Sequence, residues 1–258
     1  MINITIDIGN SKIVISSFKK EKMVKSFALN TNDLNKKLFL FYLKKIKFKQ
    51  DQMNIIVSSV VPNATTLIET VLNKNKIKFY FLRDLVKYFN LKINLDNKKS
   101  IGDDRLVNAI YAKYLFGRSI VVIDFGTATT LDVLDKFGAY DGGIITPGID
   151  LSLKSLNIGT AKLPLVKFKK SPKVVGKNTV EAIKSGFFWG YVSMIQGLIQ
   201  KVECEQKNKF KIVITGGYAN FFKETLTNTI KIDSDFNSKG LNFIMNYYLK
   251  NYYEIFKR

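Results

Sequence analysis

Four short stretches of the chain carry residues whose types and spacing could do chemistry. In "DIGNSK" an aspartate ends an apolar run and is followed by a glycine, two small polar residues and a lysine. A turn of that kind offers backbone N–H groups, small donors and a cation, which suits a polyphosphate. Asp7 could hold a magnesium ion there, because hard cations prefer oxygen ligands. An ordinary hairpin turn is the alternative, and the spacing is neither a Walker A loop nor G-x-G-x-x-G. The same pattern returns at "DFGTATTLD", where Asp124 closes a second apolar run beside Thr127, Thr129 and Thr130. A carboxylate buried at that point is costly unless it is hydrogen-bonded or binds a cation. The repetition suggests two phosphate-facing hairpins, one in each half of the chain.

Two further stretches concern a substrate. "SIGDDRLVNA" places two aspartates and an arginine where a helix begins. Asp103 suits an N-cap, and acidic side chains favour a helix N-terminus. Read for chemistry instead, Asp104 is a general base and Arg105 a clamp for a substrate carboxylate. "VGKNTVEA" has Asn178 and Glu181 at capping-box spacing, with Thr179 between them able to touch a ligand.

Composition narrows the possibilities. The chain has no histidine, which removes histidine general bases, Ser–His and Cys–His pairs and histidine metal sites. A single cysteine, Cys204 in a charged stretch, rules out an intramolecular disulfide and a cysteine zinc cluster. Chemistry therefore falls to Asp, Glu, Lys, Arg, Ser, Thr, Tyr or a bound metal ion. The net charge of +20 would suit an anion such as a nucleotide or an acidic small molecule. It is mostly lysine spread along the chain, with no arginine-rich tract or aromatic-interleaved motif, which argues against nucleic acid as the partner. No long apolar run suggests a membrane span. "INITIDI" follows Met1 without a basic region and a long apolar stretch, so a cytoplasmic protein is expected.

The elements that must position these residues alternate between strand and helix. Strands are expected over residues 3–7 and 13–18 around the "IGNSK" turn, then a helix over 33–48. A buried strand over 53–61 runs into a loop at Pro62, followed by a helix over 63–75 and a strand over 77–82. A polar span then leads to a helix over 104–117, where Leu106, Ile110 and Tyr114 recur at helical spacing. The second half repeats the opening, with a strand over 119–125, "GTATT" as the turn and a return strand over 131–135. A hairpin-like element enters a helix by residue 156, and a long helix over 178–203 carries Ala182, Gly186 and Gly190 as a small-residue seam for close packing. Residues 210–222 read as strand, glycine turn and helix start, and 240–256 as a closing helix. This order predicts an α/β protein of two similar halves, residues 1–116 and 117–258, with a ligand cleft between them.

Taken together, the motifs resemble those of the type III pantothenate kinases. The resemblance runs through D-x-G-N-[TS] at residues 7–11, S-S-V-V-P at 58–62 and G-x-D-R at 102–105. It continues through D-F-G-T-A-T-T at 124–130, G-G-x-I-x-P-G at 142–148, G-K-N-T at 176–179 and T-G-G at 215–217. It implies two ribonuclease-H-like halves of the actin-like ATPase fold, with the active-site cleft between them. It implies ATP-dependent phosphorylation of the primary hydroxyl of pantothenate, the first step toward coenzyme A, by a homodimer using Mg²⁺ and a monovalent cation (K⁺ or NH₄⁺). By the same resemblance Asp7, Ile8, Gly9, Asn10, Ser11, Lys12, Ile13 and Val14 wrap the ATP phosphates, and Thr127 contacts ATP. Gly102, Asp103, Asp104, Arg105 and Thr179 bind pantothenate, with Asp104 as the catalytic base, and Asp124 ligates the monovalent cation. Leu95 and Lys98 stand where the family usually has tyrosine and proline, which bears on pantothenate affinity. The competing readings are a kinase for another small hydroxyl compound and a transcription-accessory or nucleic-acid-binding relative without kinase activity.

Overall fold

The structure is a computed structural model and describes residues 2–46 and 53–253. Its first unit is built on a sheet in the order β3-β2-β1-β4-β5, made from β1 (Ile2–Ile8), β2 (Lys12–Lys19), β3 (Lys22–Asn30), β4 (Met53–Ser59) and β5 (Phe79–Phe81). β1, β2 and β3 pair antiparallel, while β1–β4 and β4–β5 pair parallel. The isoleucines of β1 alternate with Asn3, Thr5 and Asp7, so Ile4, Ile6 and Ile8 share one face. That face packs with Phe39 of α1 (Lys36–Ile46) and with Ile68 and Leu72 of α2 (Pro62–Lys74). Pro62 does not sit in a loop as expected; it starts α2, where its fixed φ and missing N–H do no harm.

The polar face of β1 is covered as well, by α7 (Phe236–Tyr248), the last α-helix among the described residues. Ser238, Asn242 and Asn246 recur every fourth residue on α7 and meet that face. Asn3 Nδ2 donates to Asn242 Oδ1 at 2.8 Å and to Asn246 Oδ1 at 2.6 Å, and Ser16 Oγ donates to Ser238 Oγ at 3.4 Å. Asn242 in turn donates to the Lys20 carbonyl at 2.9 Å. α7 thus docks through hydrogen bonds where an apolar stripe would be usual.

The second unit repeats the first. β6 (Ile120–Phe125), β7 (Ala128–Leu134), β8 (Tyr140–Pro147), β9 (Lys211–Gly216) and β10 (Thr229–Ile232) stand in the order β10-β9-β6-β7-β8. The first three pair antiparallel and the rest parallel, as in the first sheet. β6 is apolar on both faces, and α5 (Ile149–Ile158) and α6 (Thr179–Gln206) supply Ile149, Leu153, Phe188 and Ile195 to one core with Val121 and Ile123. The α/β class and the two similar halves are therefore those expected, and each half is built on a five-stranded sheet.

Compactness divides the chain differently from the repeat. One unit comprises residues 1–91, 97–111 and 235–258, and the other residues 92–96 and 112–234. The division falls inside α4 (Asp103–Phe116), and α7 returns to the first unit because its polar stripe matches β1. Leu106 and Ile110 of α4 are buried, but Tyr114 is 63% exposed and no part of the core. β3 and β10 were not expected. β3 is a half-exposed edge strand that carries lysines, and β10 is four residues long, so neither has a clear apolar pattern.

Candidate active site

In the first hairpin, β1 ends at Ile8 and β2 begins at Lys12, which leaves Gly9, Asn10 and Ser11 as the loop. Its carbonyls are anchored from behind. Thr31 Oγ1 donates to Gly9 O at 2.6 Å, the Thr31 N–H to Ser11 O at 3.1 Å, and the Val60 N–H to Ile8 O at 3.1 Å. The Gly9 N–H donates to Lys12 O at 2.9 Å, and a Cβ on Gly9 would lie only 3.1 Å from that oxygen. Asn10, Ser11 and Lys12 are exposed, Val14 is half-buried, and the side chains of Ile8 and Ile13 lie in the core. Any contact of these isoleucines with a phosphate would run through the backbone. Asp7 is half-buried at the end of β1, and Ser58 Oγ donates to its Oδ1 at 3.1 Å. Thr31 was not singled out in the sequence, because nothing around it marks a return to the hairpin.

In the same unit the start of α4 holds the second group. Asp103 is buried, and its carboxylate accepts from the Ser59 N–H at 3.2 Å and from Arg83 Nε. Arg83, on α3 (Leu82–Leu85), also donates to the Ile101 carbonyl. Asp103 is thus a brace between α4, β4 and α3. Its neighbour Asp104 is half-buried and accepts from the Arg105 N–H at 2.8 Å. Burial pushes the Asp104 carboxyl above its ordinary value, against the lowering effect of that N–H and of the Arg105 charge. Gly102 is the residue that lets the carboxylate lie there: a Cβ at 102 would sit 2.6 Å from Asp104 Oδ1.

In the second unit, β6 and β7 are joined by Gly126 and Thr127 alone. Ala128, Thr129 and Thr130, expected in the turn, already belong to β7, because Thr129 and Thr130 pair with Phe125 and Asp124 on β6 and Ala128 with Pro147 on β8. Thr127 is exposed. Its carbonyl accepts from the Gly148 N–H at 3.0 Å, and a Cβ on Gly148 would lie 2.3 Å from that oxygen. Asp124 is half-buried and shares a sheet face with Thr130 and Thr215, its partners in the two ladders. Gly216, at φ +89°, closes over it, since a Cβ there would lie 2.5 Å from Asp124 Oδ1. The carboxylate and hydroxyls gathered here are oxygen donors, which fit a hard monovalent cation. Among the described residues no group of three or more acidic or cysteine side chains could form a metal cage.

Thr179 is exposed at the first position of α6. Asn178 Oδ1 accepts from the Glu181 N–H at 2.9 Å, and Glu181 Oε2 accepts from the Lys177 N–H at 2.9 Å. Asn178 thus caps the helix as expected, while Glu181 reaches back one residue beyond the N-cap, to the N–H of Lys177 and not to that of Asn178. Thr179 also lines a cavity of about 580 Å³ with Thr146, Ser152, Gly186, Gly190 and Tyr191. The Ala182–Gly186–Gly190 seam borders that cavity, and its two glycines have nothing packed closely on them among the described residues: a Cβ at Gly186 or Gly190 would meet nothing within 4 Å. Tyr191 Oη donates to the Pro147 carbonyl at 2.8 Å and lies 3.0 Å from Ser152 Oγ. Burial raises its pKa. Leu95 belongs to a short strap, residues 92–96, that hydrogen-bonds to Tyr140 on β8, and its Cδ2 is 3.5 Å from where a Cβ on Gly142 would be.

The family model described as type III pantothenate kinase matches residues 3–201. A type III pantothenate kinase of Citrifermentans bemidjiense is 35% identical over 249 residues, covering 93% of this chain and 97% of that protein. One from a Sulfurihydrogenibium species is 36% identical, covering 95% and 99%. Among solved structures, a Campylobacter jejuni protein described as a Baf family transcriptional activator aligns with a TM-score of 0.60 and 21% identity, over 96% of this chain and 99% of that one. At that identity the likeness concerns the fold alone, and the halves are of the actin-like ATPase type.

Proposed function

The chain belongs to the type III pantothenate kinase family, and on that premise we propose how its residues transfer the γ-phosphoryl group of ATP to pantothenate. The product is 4′-phosphopantothenate, formed in the first step toward coenzyme A. The observation that carries the residue assignment is the seat of Asp104, half-buried, held by the Arg105 N–H and with its carboxylate lying over Gly102.

The hydroxyl oxygen of pantothenate bonds to the γ-phosphorus, the bond to the β–γ bridging oxygen breaks, and ADP leaves. Asp104 takes the hydroxyl proton. Its raised pKa brings it closer to the working pH and makes it a better base than an exposed aspartate. Arg105 holds the substrate carboxylate, Asp103 keeps the helix start in place through Ser59 and Arg83, and Gly102 and Thr179 complete the substrate contacts. The loop from Asp7 to Val14 cradles the ATP phosphates, and Thr127 contacts ATP. Phosphoryl transfer relies mainly on positioning and charge neutralisation, so a hairpin braced by Thr31 and Val60 is suited to it. Asp7 would hold Mg²⁺, which is commonly bound by one or two carboxylates together with substrate phosphates. Asp124, under Gly216, would hold K⁺ or NH₄⁺. These cations supply charge neutralisation when bound.

The reading includes a homodimer in the cytoplasm. Leu151, Ile158, Leu165, Val174 and Val175 are exposed apolar residues of the second unit and support a partner surface there. It also takes residues 1–116 and 117–258 as two copies of one ancestral half, supported by the identical strand order. Leu95 favours one second reading, a kinase for a related hydroxyl compound, because an aliphatic side chain stands beside Gly142. The test is a product assay with ATP, Mg²⁺ and K⁺, in which 4′-phosphopantothenate is expected. Phosphorylation of another hydroxyl compound, with none of pantothenate, would favour the second reading.

A further inference from the structure

We propose that Asn237, in the first turn of α7, is a positioning residue for Asp104. The inference rests on the reading of Asp104 as the base. Asn237 Nδ2 donates to the backbone carbonyl of Asp104 at 3.2 Å. Its Oδ1 is buried with no hydrogen-bond partner among the described residues. A bare buried acceptor is unfavourable, and an apolar side chain of similar volume would avoid it. A purely packing role therefore does not account for an asparagine at this position, whereas the bond to Asp104 does.

The surroundings make that bond rigid. One turn further along α7, Gly240 brings the helix against α4 so closely that a Cβ would lie 2.7 Å from Val107 Cγ1 and 3.1 Å from Tyr111 Cβ. Phe236 and Phe243 flank the same contact, with ring centroids 4.7 Å and 5.7 Å from that of Tyr111. Residues 236, 237, 240 and 243 thus form the side of α7 that grips α4, while Ser238, Asn242 and Asn246 grip the sheet. β1 carries Asp7 and α4 carries Asp104, so one helix is fastened to both elements. Asn237 is the polar contact it makes to the residue bearing the base.

The test compares Asn237→Ala and the isosteric Asn237→Asp with Asn246→Ala, which loosens α7 from the sheet away from the base. For each full-length protein the turnover per ATP-binding site, the KM for ATP and the Tm are measured. Both Asn237 variants are expected to lose about tenfold in kcat per site with KM for ATP unchanged. Asn246→Ala is expected to lower Tm while keeping kcat per site within about twofold of the parent. If Asn237→Ala does not fold, Asn237→Asp alone decides. Parental kcat per site in the Asn237 variants would overturn the inference, as would an equal loss in Asn246→Ala, which would assign the effect to α7 docking as a whole. Asp104→Asn is assayed alongside. If it keeps parental turnover, the base assignment itself fails and the inference with it. If it is inactive while the Asn237 variants are not impaired, only the inference fails.

Discussion

The carboxylate of Asp104 occupies space that any side chain on Gly102 would need, with 2.6 Å between Oδ1 and the position of a Cβ. Gly102→Ala must therefore move either the carboxylate or the chain before α4. Displacing a base by about 1 Å lowers turnover by roughly 10²-fold. Steady-state kinetics on Gly102→Ala should show that loss in kcat, with ATP binding retained in a titration.

The raised pKa of Asp104 has a consequence for stability. The folded protein binds the proton on this group more tightly than the unfolded chain does, so its contribution to stability is greatest at low pH. That contribution falls as pH rises from the ordinary value of 3.8 through the folded one. At neutral pH the charged, desolvated carboxylate is a net burden. Asp104→Asn keeps an acceptor for the Arg105 N–H and should raise Tm at pH 7, with the gain shrinking as pH drops toward 4. A Tm difference that is constant across that range would contradict desolvation of the carboxylate as the cause.

Much of this arrangement could be read from the chain, and what could not has physical reasons. The two hairpins and the helix starting at Asp103 are local, and local patterns of period two, glycine turns and acidic residues at a helix start report them. The polar face of β1 would ordinarily look toward water. It is buried because Ser238, Asn242 and Asn246 arrive from the far end of the chain, and no local pattern announces that. Arg83 and Thr31 reach the site the same way, through contacts that spacing does not encode. The glycines of α6 were legible as a seam, but only the structure shows that they border a cavity. The roles of Gly148 and Gly216 depend on close approach to a turn and a carboxylate in a different strand pair.

Asp103 and Arg83 should matter for folding more than for chemistry. Asp103→Ala leaves the Ser59 N–H without its acceptor and releases Arg83, whose side chain is 42% exposed. The expected loss is about 1–3 kcal/mol, the usual consequence of leaving a buried donor unsatisfied. Urea denaturation measures it, and an unchanged midpoint would contradict the bracing role.

Gly148→Ala should fail where Gly197→Ala succeeds. A Cβ at 148 collides with the carbonyls of Gly126 and Thr127, whereas one at 197, inside α6, meets nothing within 4 Å. The first change should cost about 3 kcal/mol or more and weaken ATP binding. The second should stabilise by about 0.5–1 kcal/mol through helix propensity. Thermal unfolding of the pair, with and without ATP, separates the two.

The central claim is that Asp104 accepts the proton of the pantothenate hydroxyl during transfer from ATP. Single-turnover formation of 4′-phosphopantothenate by Asp104→Asn, with ATP affinity measured on the same preparation, tests it most directly. A base in this role predicts a rate lowered by roughly 10²–10⁴-fold at unchanged ATP affinity. A rate equal to the parent's with the same affinity would contradict it.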